Sequence, residues 1–142
     1  MTGGAGYIGS HLVEALDDAG WRVSVLDDFS TGRAENIGPR VAAGRVRCVE
    51  GSILDPHLVD DEIGRVDVVF HLAAIVGVPR VVADPRSTLH TNIVGTENVL
   101  AACALHGATV LVASSSEVYG QGSGAPMAED DDCVVGPTHV AR

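Results

Sequence analysis

Short β-branched apolar runs alternate along this chain with longer stretches of helical period. No other feature constrains the fold so tightly. Residues 22–26 (RVSVL), 45–49 (RVRCV), 66–72 (VDVVFHL) and 109–113 (TVLVA) have strand composition. Strands joined by helical crossovers lie parallel, and a parallel sheet is covered on both faces. The expected class is therefore α/β, with a Rossmann-like, doubly wound parallel sheet.

The helical stretches carry their own punctuation. In residues 7–19, Ile8, Leu12, Ala15, Leu16 and Ala19 recur at spacings of three and four, and Gly20 follows as a C-terminal cap. Residues 28–44 are mostly connection, with a weak helix expected to break at Gly38-Pro39. Asp55-Pro56 and Asp84-Pro85 each pair a capping carboxylate with a proline at the first helical position. The second opens a long helix, about residues 85–105, with Leu89, Ile93, Val94, Leu100 and Ala104 on its apolar side and Gly107 closing it. After Ser114, Gly120, Gly122, Gly124 and Pro126 lead into an acidic run at 129–132 that reads as a surface loop.

Composition narrows the function classes. The chain has 142 residues, a formal net charge of −10, nine arginines and no lysine. A single domain over residues 1–142 is expected. The acidic balance disfavours nucleic acid and anionic membranes as partners, since both need clustered basic residues. The chain has neither an apolar run long enough for a membrane helix nor a secretory-type N-terminus. Cys48, Cys103 and Cys133 form no paired motif, so reduced thiols in a cytoplasmic protein are expected. The six histidines lack ligand spacing, and no metal is expected. Without lysine the chain supports no Schiff base, no P-loop lysine and no Tyr-Lys catalytic pair.

Gly3, Gly6 and Gly9 precede and open the first helix. Backbone N–H groups at a helix start carry partial positive charge and bind anions, and glycines let a pyrophosphate approach the backbone. Asp27 follows the next strand, 24 residues after Gly3, close to the spacing of a ribose-binding acid. Asp27 and Asp28 together would repel a 2′-phosphate, which favours NAD over NADP.

Five ordered blocks now resemble the extended branch of the short-chain dehydrogenase/reductase family, the NAD-dependent nucleotide-sugar epimerases, dehydratases and decarboxylases. They are TGGAGYIG at 2–9, LDDFSTG at 26–32, HLAA at 71–74, NIVGTENVL at 92–100 and SSSEVYG at 114–120. The resemblance implies that Gly3, Gly6, Tyr7 and Ile8 contact the pyrophosphate, while Gly9 serves close packing. It implies that Asp27 binds the adenosine ribose and that Asp28, Phe29, Ser30, Thr31 and Gly32 line the adenine end. Ser52 and Ile53 would lie beside the adenine, with serine in place of the family's usual acid. Leu72, Ala73 and Ala74 would pass under the cofactor, with His71 a structural strand-end residue. Asn92 would face the strand ends, or make a hydrogen bond within its helix.

The resemblance also implies a catalytic role for Ser115, four residues before Tyr119, with its hydroxyl on the sugar's 4-hydroxyl. Ser116 and Glu117 follow, and a Ser-Ser-Glu run resembles the UDP-glucuronate decarboxylases. A carboxyl group there would move a proton at C5 or C6. Tyr119 is expected to pack or order its loop.

The family's YxxxK pair lies further downstream than residue 142, as does its substrate domain. Only Met1 precedes Thr2, so the first, central strand is expected to be missing. Its loss would leave unpaired backbone groups costing about 1–3 kcal/mol each where buried. Three readings follow. The parent is expected to be an epimerase, decarboxylase or dehydratase acting on a UDP-sugar as a homodimer, with UDP-glucose 4-epimerase-like or UDP-glucuronate decarboxylase-like activity preferred, and this chain its inactive N-terminal part. Alternatively the chain is a non-catalytic NAD-binding or redox-sensing module, or a plain fragment that neither folds nor binds.

Overall fold

The computed structural model describes residues 1–120 and 126–134. Two compact units make up the chain, Met1–Val112 and Ala113–Arg142. The first runs α1 (Tyr7–Asp18), β1 (Val23–Asp27), α2 (Gly38–Ala42), β2 (Val46–Glu50), α3 (Pro56–Ile63), β3 (Val68–His71), α4 (Val78–Ala83), α5 (Pro85–His106) and β4 (Thr109–Val112), with a 3-10 turn at Ala34–Asn36. In the second unit a 3-10 turn, Ser116–Tyr119, precedes a bridge between Gly120 and Val134. All four strands lie within two residues of their expected bounds.

The strands pair in parallel. β1 pairs with β2, Val23 opposite Val46 and Asp27 opposite Glu50. β3 pairs with β4, Val68 opposite Thr109 and His71 opposite Val112. Residues 1–3 join the two pairs. Thr2 bridges Leu26 on one side and His71 on the other. Its N–H donates to the Phe70 carbonyl at 3.0 Å, and its carbonyl accepts from Leu72 at 3.1 Å. Leu26 donates to the Met1 carbonyl and accepts from Gly3, both at 2.9 Å. The expected rupture at the sheet centre is thus limited: this short stretch satisfies the central backbone groups of both neighbours. Beyond it, a cleft of about 360 Å³ opens between the starts of β1 and β3, lined in part by Val23, Val68 and Phe70.

Helices cover both faces. Alternate residues of β1 point to opposite sides. Val23 and Val25 join Ala5, Val13, Ile37 and Val46 in one core cluster. Leu26 joins Ile53, Val59, Ile63, Val69, Val99, Ala102 and Cys103 in the other.

Three helix readings need correction. In α1 the buried positions are Gly9, Val13 and Asp17, with Leu12 and Leu16 half-buried, whereas Ile8, Ala15 and Ala19 are exposed. Close packing at Gly9 turns that side of the helix inward. Asp17 then meets the Arg40 and Arg45 guanidiniums at the protein edge. In α5 the buried positions are Thr88, Gly95, Val99, Ala102 and Cys103. Leu89, Ile93, Leu100 and Ala104 form an exposed stripe, with Val94 half-buried. Gly95 sets that rotation, because a Cβ there would stand 2.3 Å from Ile53 Cδ1. Finally, Gly38-Pro39 begins α2 where a break was expected, since proline is tolerated in a first turn.

A buried hydrogen-bond chain ties α5 to the sheet centre. The Ala73 N–H donates to Thr2 Oγ1 at 3.3 Å, and Thr2 Oγ1 lies 2.7 Å from His71 Nδ1. His71 Nε2 lies 3.0 Å from Thr96 Oγ1, which donates to the Asn92 carbonyl at 2.7 Å. Thr96 has thus committed its proton, so His71 donates from Nε2 and accepts from Thr2 at Nδ1. The chain needs a neutral imidazole. Burial pushes the His71 pKa down, and it pushes the Met1 amine down to about 6 against the opposing pull of Glu62. Both groups bind protons more readily in the unfolded chain. Met1 therefore lowers stability as pH falls from about 8 to about 6, and His71 lowers it further below about 6.5. Glu62 and Asp18, held below their ordinary range by arginines, lose their contributions only at lower pH. We expect the urea midpoint to fall steadily between about pH 8 and about pH 5.5. A flat or rising midpoint would contradict this account of the buried chain.

Candidate cofactor-binding site

The glycine turn is the site's foundation. Gly3 has φ +71°, and a Cβ on it would stand 2.7 Å from the Ala73 nitrogen. The loop thereby rests directly on the end of β3. At Gly9 a Cβ would stand 2.2 Å from the Gly3 carbonyl oxygen, so α1 starts against the turn itself. Gly6 is the N-cap and supplies no side-chain cap, and the first turn of α1 has no acid. The N–H groups there retain their partial positive charge. Tyr7 and Ile8 are exposed beside them, 82% and 69%.

Asp27 lies at the end of β1 and is buried, 8% exposed. One carboxylate oxygen accepts from the Ala5 N–H at 2.9 Å and the other from the Phe29 N–H at 2.9 Å. The acid is therefore locked to the glycine turn. Phe29 has a left-handed backbone, φ +54°. Asp28 is exposed and accepts from the Ser30 N–H at 2.9 Å. Ser30 and Thr31 are exposed and Gly32 half-buried on the same loop. Glycine turn, Asp27 and residues 28–32 thus come together in one unit, offering N–H donors beside a fixed carboxylate.

Other candidates have different surroundings. The Ser52 hydroxyl accepts from the Leu54 N–H at 3.2 Å in a local turn. Ile53 is a core residue, 5% exposed, beneath Gly95. Leu72 and Ala73 lie half-buried after β3 and Ala74 is exposed. Asn92 uses its amide on the backbone of Ile75, accepting from N–H at 2.8 Å and donating to C=O at 3.0 Å. It tethers the segment after β3 to α5. In the second unit, Ser115 caps the 3-10 turn by accepting from the Glu117 N–H at 3.2 Å, and the Glu117 side chain is exposed. The backbone of Ser116 opens that turn, and Tyr119 accepts from the Val134 N–H at 3.1 Å.

Sequence reasoning missed Thr2, Thr96 and Asn36. The first two matter through hydroxyls that meet His71 from far apart in sequence, which no local pattern reveals. Asn36 reaches the Ala5 carbonyl with its amide at 2.8 Å.

A parallel sheet, a glycine turn opening a helix and an acid at the next strand end are the arrangement that dinucleotide-binding α/β proteins share. Comparison with known proteins sharpens that class. The sequence profile of the NAD dependent epimerase/dehydratase family matches residues 1–140, and the chain belongs to this family. It is 40% identical over 142 residues to the UDP-N-acetyl-alpha-D-glucosaminuronate decarboxylase of Bacillus cytotoxicus, covering all of this chain and 43% of that protein. It is 37% identical over 130 residues to UDP-glucuronic acid decarboxylase 1 of Danio rerio, covering 92% of this chain and 30% of that protein. Among solved structures, the dTDP-glucose 4,6-dehydratase DesIV of Streptomyces venezuelae with NAD bound superposes with a TM-score of 0.87 at 34% identity, over 94% of this chain and 44% of that one. The chain thus spans less than half the length of these relatives. Among the described residues, no helix is long and apolar enough to cross a membrane.

Asp27→Asn separates the acid's structural part from any ligand. Asparagine keeps one carbonyl oxygen for two N–H donors, so one buried donor loses its acceptor. Urea unfolding without nucleotide should show a loss of about 1–3 kcal/mol. An unchanged midpoint would mean that Asp27 does not hold the turn.

Proposed function

We propose that this chain is the NAD-binding part of a nucleotide-sugar enzyme, and that the whole protein acts on a UDP-sugar through transient oxidation at C4. One observation carries this reading. The uncapped N-terminus of α1 and the Asp27 carboxylate are fastened together through Ala5, so a pyrophosphate and a ribose can be held at a fixed separation. The donor set fits NAD. The turn of Gly3, Gly6, Tyr7 and Ile8 would take the pyrophosphate, and Asp27 would accept from the ribose hydroxyls. Asp28 to Gly32 would border the adenine, with Leu72, Ala73 and Ala74 beneath the cofactor. Ser52 and Asn92 would contribute through the backbone they order. NAD, when bound, supplies a hydride acceptor for C4 and returns the hydride later, so no net oxidant is consumed.

Ser115 would hydrogen-bond the sugar's 4-hydroxyl, and Ser116 and Glu117 would serve proton movement at C5 or C6. Both UDP-glucose 4-epimerase and UDP-glucuronate decarboxylase chemistry could use residues of these types. The exposed stripe of Leu89, Ile93 and Leu100 on α5 suits a homodimer of the whole protein. The three unbonded cysteines suit a reducing, cytoplasmic setting. A second reading, a non-catalytic NAD-binding module, is favoured for the chain itself by its lack of any lysine.

Calorimetric titration of the chain tests the proposal. NAD should bind at least about tenfold more tightly than NADP, because Asp27 and Asp28 repel a 2′-phosphate. Binding of neither, or a preference for NADP, would sink the NAD reading. The chain alone should turn over neither UDP-glucose nor UDP-glucuronate with NAD present, and measurable turnover would refute that. The full-length protein should convert one of them; conversion of neither would sink the substrate class.

A further inference from the structure

We infer that the backbone N–H and carbonyl of Ala5 form a clasp that closes the adenosine-side loop, residues 28–36, onto the glycine turn, and that Asn36 is a positioning residue for cofactor binding. This rests on the NAD reading. Ala5 is fully buried, and both its backbone N–H and its carbonyl are in use. Its N–H donates to Asp27. Its carbonyl accepts twice, from the Arg33 N–H at 3.0 Å and from the Asn36 side-chain amide at 2.8 Å. Two donors fill the two lone pairs of a carbonyl oxygen.

Gly32 is where the loop comes closest. A Cβ there would stand 2.9 Å from the Ala5 carbonyl carbon and 3.0 Å from both Ala5 Cβ and Asp27 Oδ1. Its φ is not in the positive region, so glycine is needed for room and not for backbone freedom. Ile37, 2% exposed, anchors the loop's far end in the core, and the Asp27–Phe29 bond anchors its start. Between them the loop is fastened at Ala5. Asn36 itself is exposed, so core packing does not require an asparagine there. It acts through Ala5 by fixing the loop before a ligand arrives, which removes an ordering cost from binding.

The test uses the full chain with NAD and ADP-ribose as probes. Asn36→Ala should raise both Kd values about fivefold, the loss of roughly one net hydrogen bond. Asn36→Asp should bind worse still near neutral pH, because its carboxylate faces the Ala5 carbonyl. Once protonated, the same side chain donates again. Its Kd relative to wild type should therefore begin to recover only as pH falls from about 5.5 to about 4, through the ordinary aspartate range. A role in bulk folding would not produce that recovery. Amide hydrogen exchange without nucleotide reads the clasp independently. Arg33 should exchange about fivefold faster in Asn36→Ala than in wild type. Unchanged Arg33 exchange overturns the clasp. Unchanged exchange is distinct from a wild-type chain that binds neither probe, which instead overturns the NAD reading and with it the positioning role. A wild type that binds, with both variants within about twofold of it at each pH, overturns the positioning role alone.

Discussion

The sheet depends on three residues. Met1, Thr2 and Gly3 sit between β1 and β3 and give backbone hydrogen bonds to both. Each bond contributes only about 0.5–1.5 kcal/mol net, but an unpaired group in the same buried position would cost about 1–3 kcal/mol. Both core clusters border this joint, through Met1 on one face and Leu26 on the other. The Thr2 hydroxyl extends it sideways to His71, and His71 carries it on to Thr96 of α5. One short stretch therefore fixes two strand pairs and a helix.

The same joint aims the glycine turn. Gly3 leaves the sheet centre in a left-handed conformation, with no room for a side chain against Ala73. Two residues later Ala5 meets Asp27, and α1 begins immediately after Gly6. Position is transmitted from sheet to turn to acid through backbone contacts, with side chains as fasteners. Such a site is organised before its ligand arrives. Both Asp27 oxygens hold the turn, and on the proposed reading their remaining lone pairs are what a ribose would meet.

Much of this was legible in the sequence because it is local. β-Branched runs marked all four strands, and the Asp-Pro pairs marked the starts of α3 and α5, where Asp55 and Asp84 do cap as expected. The glycine turn and Asp27 were likewise readable from spacing. What escaped notice depends on contacts between distant residues. The apolar side assigned to α5 was its outer side, because Gly95 packing on Ile53 decides the rotation and a hydrophobic count cannot see it. Asn92 sat in a motif block and Ile53 was expected beside the adenine, yet one tethers Ile75 and the other fills the core. Asn36 lay in an unremarked polar stretch and closes the loop through a partner 31 residues away.

The glycine turn and the Asp27 carboxylate come together in this chain, fastened through Ala5. The central claim is that residues 3–9 and 27–32 form one binding surface. Amide NMR of the labelled chain during NAD titration tests this most directly. Both segments should shift together along a single binding curve, with Ala5 and Phe29 among the amides that move. Shifts confined to other surfaces, or different curves for the two segments, would contradict it.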